Sequence, residues 1–318
     1  MNKPIVEKTI PIIIDTDMGV DDWMAILYLL KHPKVNLRAI SITGTGLSPC
    51  DLGIKNALGL MQIAARDDIP IACGSSIPLH GDHCFKEEWR ITENISKDLL
   101  LPIVTSLDNP TPAVQLLREI IEGSSEKVTI VALGPLTNLA NAIKSSSRMV
   151  QKIDMLYIMG GAVYVPGNVG LLDNGVINDY AEWNLYIDPE AASMIFNSGI
   201  SITLIPLDAT NCTPVTRNFL QHIERDAKTE SAKLISRIVK SRESDVQKGE
   251  FFFWDPLAAV IATDESIAQI EERIVAVVTE DGAESGRTKE DINGSKIRVA
   301  LSANPVAFEK LYIDVLNR

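Results

Sequence analysis

Along most of this chain, short continuous apolar runs alternate with longer stretches whose apolar positions recur at helical spacing. Pro11 to Ile14 is continuous and largely β-branched, the pattern of a strand buried on both faces. A helix follows from Asp21-Asp22 to about Lys31, with Met24, Ile26, Leu27, Leu29 and Leu30 apolar and Pro33 as its stop. Further strands are expected at Leu37 to Thr43, Ile69 to Cys73, Val128 to Leu133, Asp154 to Met159 and Ile202 to Leu207. Between them lie helices from about Asp51 to Arg66, from Thr111-Pro112 to about Glu122, from Gly134 onward, and from Asp188-Pro189 to about Asn197. Strand alternating with helix is the signature of an α/β fold with an open, doubly wound, mostly parallel sheet.

The last third reads differently. Thr213-Pro214 is expected to open a helix, Asp226 to Arg242 to form another, and Phe251-Phe252-Phe253-Trp254-Asp255-Pro256 to precede a third. Ile274 to Thr279 and Lys296 to Leu301 read as late, antiparallel strands, and Ala307 to Leu316 as a closing helix. Two stretches carry no clear period, Gly74 to Asn109 and Ala162 to about Ala181. Connections of such length are disordered or functional, and Trp89 in the first favours function. Neither a repeat nor a linker is evident, so residues 1–318 read as one domain.

Composition narrows the class. The 318 residues are 46% hydrophobic and 23% charged, with a net charge of −12. That balance suits a globular protein and argues against nucleic acid or anionic membrane as the main partner. Cys50, Cys73, Cys84 and Cys212 form no CxxC pair and read as reduced thiols, which points to the cytoplasm. Met1 to Thr9 is not followed by the apolar run of a secretion signal, and no 18-residue apolar run exists.

Polar residues gather where the strands end: Asp15 to Asp22, Thr43 to Gly46, Leu133-Gly134, Met159 to Gly161 and Leu207-Asp208. That edge is where ligands bind in open α/β sheets. Asp15, Asp17, Asp21 and Asp22 fall in one turn and would repel one another if all were ionised and partly buried. A helix dipole accounts for Asp21 and Asp22 but not for Asp15 and Asp17. A hard divalent cation with oxygen ligands is the simplest answer.

The run Asp15-Thr16-Asp17-Met18-Gly19-Val20-Asp21-Asp22 resembles the DTDPGxDD signature of the nucleoside hydrolases, with Met18 in place of the usual proline. Further segments match in order: Leu133-Gly134-Pro135-Leu136-Thr137-Asn138, Met159-Gly160-Gly161, Glu182-Trp183-Asn184, Asp188-Pro189-Glu190-Ala191-Ala192 and Asp255-Pro256-Leu257-Ala258. The resemblance runs from about residue 11 to the C-terminus. It implies a calcium-dependent N-ribohydrolase that frees ribose and base, using a water made more acidic by the metal ion. It implies Ca²⁺ ligands at Asp17, Asp22, Asp255 and the Leu133 carbonyl, and Asp17 as the base. Asp21, Asn168, Glu182 and Asn184 would hold ribose, and Asp15 would support the turn. With nucleic acid and membrane disfavoured by charge and by the absence of a long apolar run, the expected assembly is a homodimer or homotetramer, and the resemblance implies a role in nucleoside salvage.

Many members carry a histidine before the last aspartate; here Trp254 stands there, and an indole cannot serve as an acid. Trp254, with Trp89, instead resembles the purine-specific inosine–adenosine–guanosine branch, in which two indoles stack on the base. Trp183 would face away if its segment were extended, and Trp23 reads as core. Thr45 and Asp51 both remain open as substrate neighbours, and His80 and His83 read as solvated loop residues. The alternatives are a non-catalytic nucleoside-binding protein on the same scaffold and a haloacid-dehalogenase-like phosphatase. The second has Asp15 and Asp17 at the right spacing but no convincing downstream lysine. An EF-hand fails because Val20 and Ile26 occupy its glycine and glutamate positions.

Overall fold

The computed structural model describes residues 9–92, 99, 101–102 and 110–318. Among these, one sheet contains β1 (Ile10–Thr16), β2 (Val35–Ile42), β3 (Ile71–Cys73), β4 (Val128–Ala132), β5 (Ile153–Met159), β6 (Ile202–Ile205), β7 (Ala268–Val277), β8 (Thr288–Glu290) and β9 (Ser295–Ala303). Its order is β3-β2-β1-β4-β5-β6-β9-β7-β8. The pairings from β3 across to β9 are parallel, and β7 runs antiparallel to both β9 and β8. The doubly wound sheet expected from the alternating pattern is present.

The continuous apolar character of β1 follows from its place at the centre. Ile12 and Ile14 enter the core on one face of the sheet, and Ile13 enters the core on the other. Each fully buried side chain of this size contributes about 1.5–3 kcal/mol. The chain leaves β1 for β2 and β3 on one side, and β4 returns on the other. This reversal opens a crevice at the carboxyl ends of β1 and β4. Helix Val20–Lys31 rises from the end of β1 and packs against helix Trp254–Ile261. Each carries acid in its first turn, Asp21 and Asp22 in one and Asp255 in the other, where the helix dipole favours negative charge.

Several expectations need correction. Thr213-Pro214 opens no helix: the Thr213 hydroxyl donates back to the Thr210 carbonyl, and Pro214 bridges to Phe252. The helix begins later, at Arg217–Asp226, where the Thr216 hydroxyl accepts from the Phe219 amide at 3.0 Å. Asp226 therefore ends a helix, and the next, Glu230–Ser241, starts after its own cap, Thr229. The late strand pair is longer than expected, since β7 begins at Ala268, and β8 lacks an apolar run that would announce it. The stretch from Gly74 to Asn109 includes helix Glu87–Thr92; residues 93–98, 100 and 103–109 lie outside the described residues, as do residues 1–8. Cys50 and Cys73 are joined as a disulfide, which overturns the reading of four reduced thiols and with it the thiol argument for the cytoplasm. Among the described residues no helix is long and apolar enough to cross a membrane.

Candidate active site

The loop after β1 is tied to its neighbours through the backbone. The Thr43 amide donates to the Thr16 carbonyl at 2.8 Å, the Ser48 amide to the Asp17 carbonyl at 2.9 Å, and the Leu133 amide to the Asp15 carbonyl at 2.8 Å. Two glycines permit this closeness: a Cβ at Gly46 would lie 2.0 Å from the Asp17 Cβ, and one at Gly134 would lie 2.7 Å from it. Asp15 stays behind the loop, 1% exposed, and accepts from Asn138 Nδ2 at 3.0 Å. The same nitrogen donates to Ser41 Oγ and the Ile42 carbonyl, so Asn138 joins the ends of β1 and β2.

Beyond that loop is a cavity of about 350 Å³. Asp17, Asp21, Asp22, Leu133, Asn168, Glu182, Asn184, Asp255, Trp89 and Trp254 all line it. Chain segments far apart in sequence thus bring every proposed site residue to one place. Both Asp17 oxygens accept backbone amides, Gly19 on Oδ1 and Leu47 on Oδ2, each at 3.2 Å. Asp22 Oδ1 accepts from the Asp17 amide at 3.2 Å and from the Thr16 hydroxyl. One oxygen from each of Asp21, Asp22 and Asp255 lies within 4.8 Å of the others. Asp21, expected on the sugar, therefore stands within this triangle as well. Asp255 Oδ1 is buried and has no hydrogen-bond partner among the described residues. A buried carboxylate oxygen left bare among other carboxylates fits a hard cation with oxygen ligands.

Burial dominates the protonation of this group. It raises Asp17 above the ordinary carboxylate range and Asp22 and Asp255 well above it, with neighbouring carboxylates adding to the shift in the latter two. Burial, then the charge of Asp17, pushes Asp21 up to about 6. Asp15 is pushed up to about 7 by burial against the opposing hydrogen bonds of Asn138 and Ser41. Glu182 rises to about 7 by burial, although it accepts the amides of Asn184, Gly161 and Leu185. Carboxylates raised in this way bind protons until a cation displaces them.

Glu182 caps helix Trp183–Ile187, and this explains its precision: the cap sets Asn184, whose Nδ2 donates to the Leu133 carbonyl at 3.0 Å and the Met159 carbonyl at 3.2 Å. Asn168 Oδ1 accepts from the Trp183 amide at 3.1 Å, which ties the long second loop to this helix. Trp183 is helical rather than extended, so alternation does not turn it away and its indole lines the cavity. It stacks on Phe85 with ring centroids 5.2 Å apart and meets Trp89 edge-on at 5.1 Å. Trp254 stands half-buried elsewhere on the cavity wall, against Phe251 and Phe252.

Thr45 is buried and bonds to Thr43 and Thr137, and neither it nor Asp51 lines the cavity. His80 and His83 are also absent from the lining; His83 Nδ1 pairs with the Tyr186 carbonyl at 2.7 Å. Trp23 is fully buried, as its helix pattern implied. Residues unforeseen in the sequence include Phe85, Arg242, Asp245, Glu250 and Phe251. Arg242 and Asp245, paired at 3.5 Å, are the cap and a first-turn residue of the short helix Glu243–Lys248, which has no pattern of its own. Only the aromatic run before Trp254 offered a signal for Phe251.

Residues 12–310 match the model of the inosine-uridine preferring nucleoside hydrolases. The chain is 33% identical to uridine nucleosidase 1 of Arabidopsis thaliana over 283 residues, 88% of this chain and 81% of that protein. Among solved structures, a plant nucleoside hydrolase superposes with a TM-score of 0.84 at 27% identity, covering 96% of this chain and 98% of the other. A purine-preferring ribonucleoside hydrolase from Gardnerella vaginalis does so with a TM-score of 0.82 at 25% identity and the same coverage.

Proposed function

The chain belongs to the inosine-uridine preferring nucleoside hydrolase family and is an N-ribohydrolase, and from that premise we propose that it is calcium-dependent and prefers purine nucleosides. The observation that carries the reading is that Asp17, Asp22 and Asp255 line one cavity, with oxygens of Asp21, Asp22 and Asp255 within 4.8 Å of one another, and that the same cavity presents Glu182, Asn184 and two half-buried indoles. Asp17, Asp22, Asp255 and the Leu133 carbonyl would hold the calcium ion. The Leu133 oxygen accepts from Asn184 and keeps a second lone pair for that purpose. Calcium, when bound, supplies positive charge that keeps these carboxylates ionised and lowers the pKa of nearby water.

The protein's own groups then have separate tasks. Asp17 takes a proton from the attacking water, whose oxygen bonds to C1′ of the ribose. The C1′–N bond breaks and its electron pair leaves with the base, which gains a proton from solvent. Asp21, Asn168, Glu182 and Asn184 hold the ribose hydroxyls and favour the flattened, positively charged transition state. Trp89 and Trp254 stack on the base and raise the basicity of its ring nitrogen. Asp15 supports the turn through Asn138.

Acidic side chains dominate the charged groups of the lining, with Asp245 and Glu250 at the rim and Arg242 among them. A nucleotide phosphate would meet net repulsion there, so free nucleosides are the substrate class. The indole pair supports purines; the name of the Arabidopsis relative points to uridine. Initial rates on inosine, adenosine, guanosine, uridine and cytidine decide the matter. Purines are expected to lead in kcat/KM, and a lead for uridine or cytidine would replace this reading with a pyrimidine preference.

Residues 1–318 act as one functional domain in this proposal, consistent with the single continuous sheet. The proposal includes a homodimer or homotetramer, which sedimentation measures, and a role in nucleoside salvage. The cytoplasmic placement stays in it without the thiol argument, whose premise the Cys50–Cys73 bond removes.

A further inference from the structure

We propose that Met18, clamped in a left-handed conformation by Thr16 and Trp23, is the positioning residue that sets Asp17 against Asp22. Met18 has φ +64°, one of two non-glycine residues with positive φ among those described. The other, Ala65, lies just past the end of helix Cys50–Ile63, a common place for that conformation. Met18 has no such excuse, because it precedes a helix instead of ending one. A side chain in that region persists only where the surroundings over-determine it.

Three contacts do so. The Met18 amide donates to Thr16 Oγ1 at 3.1 Å. Its carbonyl accepts from Trp23 Nε1 at 3.1 Å. Its side chain is fully buried in the core beside helix Cys50–Ile63, where a Cβ on Gly53 would lie 3.4 Å from the Met18 Cγ. The reversal at Met18 lets the Asp17 amide reach Asp22 Oδ1 and the Gly19 amide reach Asp17 Oδ1. The Thr16 hydroxyl that accepts from Met18 also donates to Asp22, so one hydroxyl joins the turn to the carboxylate group.

The resembled signature has proline at this position. Proline holds φ near about −65° and has no amide hydrogen, so it can neither adopt this turn nor donate to Thr16. The Met18 replacement and the Trp23 clamp therefore form one device. Trp23, read from the sequence as core alone, gains a second task.

The inference rests on Asp17 as the proton acceptor, and its test separates the two claims. Trp23→Phe keeps the ring in the core and removes the Nε1–H donor. Expected are a loss in kcat of about 10²-fold, as for a small misplacement of a reacting group, with KM changed far less, and weaker calcium binding by calorimetry without substrate. Adding Met18→Gly should restore most of both, because glycine takes positive φ without a clamp. A merely structural role for Trp23 would lower Tm and leave kcat and calcium affinity unmoved, and Met18→Gly would then rescue neither; that result overturns the proposal. Met18→Gly also removes a fully buried side chain, so if the double variant does not fold, the structure of the single Trp23→Phe variant decides. A metal-free crystal structure of the Trp23→Phe variant reads the device without catalysis. Met18 out of the left-handed region with Asp17 drawn off Asp22 supports it. An unchanged loop refutes it, even if the parent protein hydrolyses no nucleoside.

Discussion

The cavity has a floor and a rim that are built in opposite ways. The floor consists of Asp17, Asp22, Asp255, Glu182, Asn184 and the Leu133 carbonyl. It sits at strand ends and helix starts, with its side chains at most 7% exposed. The rim consists of Trp89, Trp254, Arg242, Asp245 and Glu250, half-buried or exposed, on loops and short helices. Floor residues are held by backbone amides, as Asp17 is by Gly19 and Leu47 and Glu182 by Asn184 and Leu185. At the rim side chain meets side chain: Trp89 lies edge-on to Trp183, and Arg242 pairs with Asp245. On the proposed function, this difference would divide the reaction: chemistry common to all nucleosides would belong to the buried floor, and choice of base to the more exposed rim.

The largest expected effect breaks the floor. Asp17→Ala should lower kcat for every nucleoside by about 10²–10⁴-fold, the range for loss of a general base. Near-normal turnover measured by ribose release would remove Asp17 from its role. Next comes Asp255→Asn, which should weaken calcium binding at least about tenfold by calorimetry, because a charged oxygen ligand is lost. An unchanged affinity would place the ion elsewhere. The rim gives a smaller and more selective change. Trp254→Ala should cost about 1–3 kcal/mol of base stacking, read as kcat/KM on inosine, with calcium affinity unaltered. An equal loss on purines and pyrimidines, or a loss of calcium, would erase the division between floor and rim.

The smallest effect is in stability against pH. Asp15 and Glu182 sit near 7 and Asp21 near 6 in the folded protein, against ordinary values of 3.8 for aspartate and 4.5 for glutamate. Across that window the fold holds protons that the unfolded chain has released. Stability of the metal-free protein is therefore full below the ordinary values and falls as pH rises through about 6 to 7. Metal-free Tm should drop by a few degrees on going from about pH 5.5 to about pH 7.5, and saturating calcium should recover it at the higher pH. Scanning calorimetry with and without calcium checks this, and a metal-free Tm that climbs with pH would contradict it.

The same division governs what can be read from the sequence. Asp15 lies at the end of a strand buried on both faces and Asp17, Asp21 and Asp22 follow it, and four carboxylates crowded at such a strand end call for a compensating positive charge. The strand ends themselves follow from continuous apolar runs, which central parallel strands require. The rim leaves weaker traces. Arg242, Asp245 and Glu250 look like any solvated charges until tertiary packing brings helix Glu243–Lys248 and the residues beside it to the cavity. Trp183 escapes the pattern because a five-residue helix leaves no period to detect. Thr213-Pro214 misleads because its hydroxyl finds a closer acceptor in the Thr210 carbonyl. The Cys50–Cys73 pair is hidden because nothing local says that the start of one helix abuts the end of β3.

The central claim is that a cation held by the carboxylate floor drives glycosidic cleavage. Its most direct measurement is ribose release from inosine by protein that has been stripped with a chelator and then titrated with calcium. The account predicts no release above the no-enzyme rate in the stripped protein, and full turnover restored at one calcium per chain. Turnover that persists unchanged through chelation would contradict it.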